Sequence, residues 1–294
     1  IRRTGMDKET VNNCYIIDES RHLLGVVSLR GIVMAREDAR MQDIMETNVI
    51  SVTTQEDQES VARLFSLYDL NVLPVVDTEN RMVGIVTVDD AIDVIEEETT
   101  EDISKMAAIT PSDRPYLKTS VWMLWKSRIP WLLLLMLSAT FTGMIITHFE
   151  GVLSFSIALT AAIPMLMDTG GNCGSQSSVT VIRGISLGEI AFGDIFRVMW
   201  KEARVSVLCG VTLAALNFAK LMLINRVGFG VAAVICLTLI VTVFAAKLVG
   251  CTLPLIAKKA GLDPAVMASP FITTIVDALS LFIYFRMAGT ILGI

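Results

Sequence analysis

The sequence predicts an α-helical membrane domain with five transmembrane helices, preceded by an α/β region and a long connecting helix. Three features of the 294 residues support this fold class: uneven charge, five long apolar segments and an internal repeat. Residues 1–128 carry 14 basic and 23 acidic side chains, whereas residues 129–294 carry only 10 and 7. So few charges exclude a wholly soluble protein. The five cysteines form no close CxxC pair, so neither a zinc site nor a disulfide framework is predicted.

The carboxyl-terminal half contains five apolar segments, each long enough to cross the roughly 30 Å hydrocarbon core of a membrane. They cover residues 129–147, 152–182, 205–225, 227–257 and 264–294. Lysines and arginines concentrate before the first segment, between the second and third, and between the fourth and fifth. The positive-inside rule therefore predicts a cytoplasmic amino-terminal region and a carboxyl terminus outside the cell.

A polar run from Pro164 to Ser178 interrupts the second segment and contains Gly171 and Asn172. Proline removes a backbone donor and glycine allows close backbone approach, so the run predicts a break in this helix. Such a break would offer Asn, Gln and carbonyl oxygens to a cation or to its water shell. The alternative is a contact between helices made by small residues.

The fifth segment contains a lone carboxylate, Asp277, which shares a helical face with Thr273 and Ser280. A carboxylate at mid-membrane costs about 2.5 to 3.5 kcal/mol on insertion scales, so Asp277 is expected to face water or protein. No basic residue lies within one turn of it, which favours a cation site over a structural ion pair. Oxygen ligands without a His or Cys cluster suit Mg²⁺ or Ca²⁺.

The amino-terminal half contains an internal repeat with an offset of 59 residues. Residues 14–28 match residues 73–87, and each copy predicts a β-hairpin with a polar turn followed by a helix. A strand near 49–52 and a helix over 56–70 are predicted before the second copy. The matching elements of the first copy would lie before Ile1, so the first repeat is expected to be truncated.

An acidic segment follows the second copy, with eight acids and no base from Asp89 to Asp102. In a helix, like charges at i+3 and i+4 spacing repel each other. One interpretation is a solvated acidic face. The other is a switch, in which bound divalent ions neutralise the repulsion and draw the surrounding elements together.

The repeat resembles cystathionine-β-synthase (CBS) domains, and the second half resembles the membrane domain of MgtE magnesium channels. The residues that carry the resemblance are the GGNxGxQ pattern at 170–176, the acidic segment at 88–102, Gly261-Leu262-Asp263-Pro264 and Asp277. The resemblance implies a homodimer in the bacterial inner membrane, surrounded by lipid, with one pore on the two-fold axis. Mg²⁺ would be both substrate and regulator, and no nucleic acid is expected as a partner.

The resemblance also implies roles for particular residues. In the pore, the metal would lie near Asp277, Asn172, Gly171 and Thr273. The regulatory metal sites would use Asp90, Glu98, Glu101, Asp102 and Asp263, with Asp89 and Asp93. CBS domains often bind adenine nucleotides through a Ser or Thr followed three residues later by Asp, and Thr87 with Asp90 fits this pattern, which makes ATP a candidate ligand. The family's amino-terminal helical domain is missing from the sequence, so closure by Mg²⁺ is expected to be less sensitive.

The predicted domains are a partial first CBS repeat (1–45), a second repeat (46–95), an acidic connecting helix with a pre-membrane segment (96–128) and the membrane domain (129–294). Three alternative functions are open. A broader transporter would carry Mn²⁺, Co²⁺ or Ca²⁺, and an intramembrane aspartyl enzyme would use Asp168 and Asp277. An anion channel is disfavoured by the intramembrane acid and by the absence of a basic filter in the spans.

Overall fold

The computed structural model describes residues 1, 3, 5, 8–112 and 114–293, with only the backbone of Ser269. Contacts between Cα atoms divide the chain into two compact units, residues 1–100 and residues 101–294.

The first unit consists of two β-hairpins, one further strand and short helices. Its strands are β1 Asn13–Ile17, β2 Leu23–Ser28, β3 Val52–Thr53, β4 Val72–Val76 and β5 Met82–Thr87. Its helices are α1 Leu29–Met34, α2 Met41–Ile44, α3 Gln58–Tyr68 and the first part of α4 Val88–Met106. The hairpins β1–β2 and β4–β5 are antiparallel, with Asn13 opposite Ser28 and Val72 opposite Thr87. The 59-residue repeat therefore predicts the two hairpins and their following helices correctly.

A small apolar core supports the second hairpin. It contains Val52, Ala62, Phe65, Leu73 and Ala91, all at most 4% exposed. Strand β3 pairs in parallel with β4, and α3 and α4 both contribute side chains to this core. The start of the acidic helix is thus fixed to the sheet by two apolar residues, Ala91 and Val94, while its acids remain outside the core.

The second unit is a bundle of long helices. After α4, the chain forms α5 Val121–His148, α6 Glu150–Leu153, α7 Ile157–Ser186, α8 Ile195–Leu223, α9 Phe229–Lys259 and α10 Ser269–Leu292. Within the described residues, four helical segments are long and apolar enough to cross a membrane: Val121–His148, Phe192–Leu223, Phe229–Lys259 and Pro264–Leu292. The helix of the second predicted segment, α7, does not reach the same hydropathy despite its 30 residues.

The predicted break in the second segment is wrong, because α7 is continuous from Ile157 to Ser186. A proline removes only one donor, and neighbouring helices compensate for glycine's low helix propensity by close packing. The low hydropathy of α7 has two sources: small and polar residues among its 14 buried positions, and polar side chains that are exposed.

Helices α7 and α9 lie side by side and run in the same direction. A Cβ added at Gly170 would meet Thr242, and one added at Gly250 would overlap the carbonyl oxygen of Gly174. Further along, Val181 of α7 packs in a cluster with residues near the end of α9. Helix α7 therefore extends alongside much of α9, which is itself a candidate membrane span.

Candidate functional site

Three glycines of α7 allow α9 and α10 to approach its backbone closely. A Cβ at Gly170 would lie 2.8 Å from the hydroxyl oxygen of Ser280, and one at Gly171 would lie 3.0 Å from Cγ2 of Thr273. A Cβ at Gly174 would lie 2.8 Å from a methyl carbon of Ile272. The structure therefore supports the alternative interpretation of the GGNxGxQ pattern, a small-residue contact between helices, and Gly171 is buried in that contact.

The opposite face of α7 carries a stripe of exposed polar side chains. Asp168, Asn172, Gln176 and Thr180 follow one another at intervals of four residues, and all four are exposed in the single chain. Side chains with this spacing stack along one side of a helix. We call these four residues the α7 stripe. It includes the predicted Asn172 and adds Asp168, which the sequence suggested only for an aspartyl enzyme.

The predicted polar face of α10 divides into buried and accessible groups. Thr273 turns its methyl group toward Gly171 and donates its hydroxyl to the carbonyl of Pro270 at 3.0 Å. Ser280 is 1% exposed, and its hydroxyl has no partner within the described part of the chain. Asp277 remains partly exposed, and its carboxylate interacts electrostatically with that of Asp168. Asp277 is therefore close enough to Asp168, one member of the α7 stripe, for their charges to interact.

The bundle also contains a charged pair that sequence reasoning missed. Lys247 of α9 is 4% exposed, and its Nζ lies 3.5 Å from Oε2 of Glu202 in α8. Glu202 lies inside α8 because this helix begins ten residues before the predicted segment, at Ile195. The sequence signal that could have revealed this pair is an ionisable residue, Lys247, within an apolar run. Lys247 lies within a predicted span, but it is buried and paired with Glu202, so it forms no basic filter.

The predicted regulatory acids lie along and near α4. Asp89, Asp90 and Asp93 are exposed near its start. Asp90 accepts a hydrogen bond from the Thr87 hydroxyl at 2.7 Å, and Glu98 accepts one from the Gln58 amide at 2.7 Å. Thr87 and Asp90, the predicted nucleotide residues, are therefore bonded to each other at the start of the helix.

At the end of α4, a lysine lies between two of the predicted metal ligands. The ammonium of Lys105 pairs with the carboxylates of Glu101 and Asp263, the latter at 2.6 Å. Burial alone would lower the pKa of Lys105, but hydrogen bonds to Asp263 and Glu101 raise it above its usual value. The ammonium therefore stays charged at neutral pH. Asp102, the residue after Glu101, is partly exposed and has interactions of its own.

The carboxylate oxygens of these residues suit a hard divalent ion, but a single chain does not assemble a full ligand set. Across the described ranges, no three His, Cys, Asp or Glu side chains converge as a metal site. A regulatory ion at Glu101 and Asp263 would have to share or displace the contacts of Lys105, or use oxygens from a second chain.

A cleft in the first unit lies beside the second hairpin. Its volume is about 240 Å³, and its lining includes Val52, Thr53, Thr54, Val86 and Ala91. Ligand pockets are typically about 300 to 1,000 Å³, so the cleft approaches the size needed for a heterocyclic base.

Two family models match the chain. Residues 163–287 match the MgtE model, described as a divalent cation transporter, and residues 41–97 match the CBS domain model. The MgtE match contains the glycine contact, the α7 stripe and Asp277. A crystal structure of the cytosolic domain of the Mg²⁺ channel MgtE in complex with ATP is 52% identical, and the alignment covers 32% of this chain and 38% of that chain with a TM-score of 0.31.

The chain is also similar to whole transporters. The magnesium transporter MgtE of Thermus thermophilus is 40% identical over 298 residues, which cover 99% of this chain and 64% of that protein. The Bacillus subtilis protein of the same name is 40% identical over 95% of this chain and 61% of its own length. The chain thus spans about three fifths of these curated relatives. Both relatives are named magnesium transporters, and neither name describes an enzyme. By these matches, the chain is similar to the MgtE family of divalent cation transporters along nearly its whole length.

Proposed function

We propose that this chain mediates Mg²⁺ influx through a pore formed between two copies in the bacterial inner membrane. Each copy contributes five spans, α5, α7, α8, α9 and α10. The observation that carries the proposal is the α7 stripe, because it runs past Asp277 on a helix that lies alongside a candidate membrane span. Asp277 and Asp168 would hold the hydrated cation.

The cost of placing a charge in lipid limits the directions in which the stripe can face. A carboxylate directed at lipid near the bilayer centre costs about 2.5 to 3.5 kcal/mol, and Asp168 is accompanied by two exposed amides. Facing a water-filled path shared with a second copy removes this cost. The same path gives a hydrated Mg²⁺ two carboxylates from each chain, which suits an ion that gives up its waters reluctantly.

The proposed number of spans depends on α7, and their proposed orientation depends on the lysines at the end of α9. Its position beside α9 supports counting it as a fifth span, although its hydropathy is low. An odd number of spans places the two ends of the membrane unit on opposite sides. With Lys258 and Lys259 at the cytoplasmic end of α9, α10 leads to a carboxyl terminus outside the cell, and residues 1–100 lie in the cytoplasm.

The test is Mg²⁺ uptake into liposomes containing the chain or its Asp277→Ala variant. We expect the substitution to reduce uptake to the level of empty liposomes, because it removes the carboxylate that would attract the cation. Glu189→Gln is the matched control, since Glu189 is an exposed acid in the connection between α7 and α8. Full uptake by Asp277→Ala would refute the assignment.

Competition in the same assay addresses the broader alternative. A selective Mg²⁺ pathway predicts that Ca²⁺, Mn²⁺ and Co²⁺ reduce Mg²⁺ uptake only weakly at equal concentration. Equal uptake of all four ions would instead support the general divalent transporter.

We also propose that cytosolic Mg²⁺ closes the pore by binding at the acidic region around α4. The motivation is the density of acids in this helix and the meeting of Glu101 and Asp263 at Lys105. Replacing Glu98, Glu101 and Asp102 by their amides together should leave the channel open at high Mg²⁺ in patch recordings. Block of the triple variant at the wild-type Mg²⁺ concentration would remove these residues from the sensor.

Adenine nucleotide is proposed as a second ligand, held at the cleft of the first unit. Thr87 and Asp90 lie at the start of α4, close in sequence to cleft residues Val86 and Ala91. Calorimetric titration with ATP should show binding that Asp90→Ala weakens and Asp93→Ala, one turn further on an exposed face, leaves unchanged. Absence of ATP binding to the unmodified chain would exclude this ligand.

A further inference from the structure

The charged pair of Lys247 and Glu202 has no part in the proposed ion pathway. Lys247 lies 12 residues before the end of α9 at Lys259, about 18 Å along the helix axis. The side chains of Lys247 and Glu202 are only 5% and 15% exposed. Ionisable residues at such positions in membrane helices are costly and are usually retained for a function.

A third side chain joins the pair to α7. The hydroxyl of Ser177 donates to Oε2 of Glu202 at 2.6 Å, and Nζ of Lys247 donates to the same hydroxyl oxygen at 3.2 Å. Ser177 is 1% exposed. We call Ser177, Glu202 and Lys247 the buried triad. It connects three helices through charge-assisted hydrogen bonds, which are short and directional.

The buried triad lies close to the α7 stripe in sequence but on a different face. Ser177 directly follows Gln176, and successive residues of an α-helix point about 100° apart. At Gly170, Gly171 and Gly174, side chains of α9 and α10 rest against the backbone of α7, and the Ser178 hydroxyl donates to the carbonyl of Met267 at 2.7 Å. The bonds of Ser177 add a directional link from α7 to α8 and α9, and so further restrict the rotation of α7.

We propose that the buried triad is a latch that fixes the rotation of α7, so that the stripe faces the ion path. Ser177, Glu202 and Lys247 are positioning residues, since they act through Asn172 and its neighbours without touching the ion. The consequence for transport rests on the proposed function, whereas the rotation of α7 does not.

The first test uses Ser177→Ala, which keeps the two charges paired and is expected to fold. Cys173 lies next to Asn172 and is 7% exposed, so its reactivity reports the rotation of α7. We expect N-ethylmaleimide to label Cys173 several-fold faster in Ser177→Ala than in the parent chain, as measured by mass spectrometry. The KM for Mg²⁺ uptake should rise about tenfold, as for the loss of an orienting contact near a metal, with a smaller change in maximal rate.

Two serine variants serve as comparisons. Ser206→Ala removes an equally buried hydroxyl, one that donates to Ala203 within its own helix at 2.7 Å. It should change neither Cys173 labelling nor KM. Ser177→Thr retains a hydroxyl and should restore both values toward those of the parent chain.

The charged members are tested by single and double neutralisation. Glu202→Met and Lys247→Met each leave one buried charge unpaired, so each should lower thermal stability, and the double variant should recover it. Cys173 should nevertheless be labelled faster in the double variant than in the parent chain, because methionine at position 202 gives the Ser177 hydroxyl no oxygen acceptor. If the double variant recovered both its thermal stability and the slow labelling of Cys173, the pair would have a purely structural role and the proposal would be overturned.

Unchanged Cys173 labelling and unchanged KM in Ser177→Ala would also overturn the latch. The two proposals fail in different ways. If the parent chain moves no Mg²⁺, the proposed function fails, yet the comparison of Cys173 labelling between Ser177→Ala and Ser206→Ala still decides whether the triad fixes α7.

Discussion

Lys105 shows how one residue modifies a predicted metal site. The sequence directs attention to acids, and Glu101 and Asp263 do meet in the structure, but they meet at an ammonium group. Their separation of 162 positions explains why sequence reasoning did not anticipate the lysine between them. An ammonium in that position neutralises the carboxylates without any Mg²⁺, and so competes with the ion for the same oxygens.

Lys105→Met should therefore increase the sensitivity of closure to Mg²⁺. Without the ammonium, Glu101 and Asp263 repel each other until a divalent ion binds. The Mg²⁺ concentration for half-closure should fall by up to about fivefold, the equivalent of about 1 kcal/mol for a partly exposed ion pair. Lys118→Met, which removes a lysine from the short 3₁₀ helix Tyr116–Lys118 between α4 and α5, is the control in the same patch recordings. An unchanged or higher midpoint would contradict the competition.

Asp168 is a second case at the scale of single residues. The sequence predicts Asp277 as a cation ligand, because it is the one acid in an apolar helix, but it does not show that the charge of Asp168 interacts with it. Asp168→Asn should lower the apparent Mg²⁺ affinity of uptake without abolishing it, because Asp277 remains. Liposome uptake at several Mg²⁺ concentrations measures this, and a KM equal to that of the parent chain would exclude Asp168 from the ion site.

At the scale of elements, α7 shows which features a sequence pattern predicts and which depend on packing. Its length and position were predicted, but its glycines suggested a break, since sequence alone does not show whether a glycine frees the backbone or admits a neighbour. Contacts with Thr273, Ile272 and Gly250 settle this locally in favour of packing. The hairpins were easier to predict, because strand alternation is a local signal and the same pattern recurs 59 residues later.

Gly250→Ala tests the packing of α7 against α9. The new Cβ would overlap the carbonyl oxygen of Gly174, so the two helices must separate. Overpacking of this kind costs about 1 to 3 kcal/mol, which thermal unfolding in detergent should detect. Gly143→Ala in α5 is the matched control, because its Cβ would meet no atom of the described neighbours within 4 Å and alanine favours helix. Equal stability of both variants would contradict the close contact.

At the scale of the whole molecule, the division of charge found in the sequence corresponds to different tasks. Composition predicts a charged amino-terminal half that ends near residue 128 and an apolar bundle after it, whereas the two compact units divide at residue 100. The acids of α4 and Asp277 suggest one ion used twice, once as regulator and once as substrate. The arrangement of two copies is beyond what a single sequence specifies, since it depends on surfaces that only folding brings together.

The central claim is that Mg²⁺ passes between two copies along the α7 stripe, and Asn172→Cys tests it most directly. Oxidation should link two such chains across the pathway and block Mg²⁺ flux into liposomes, and reduction should restore the flux. Leu216→Cys, at a 68% exposed position on α8, should neither link nor block. Undiminished flux through chains cross-linked or labelled at position 172, or equal block from position 216, would contradict the account.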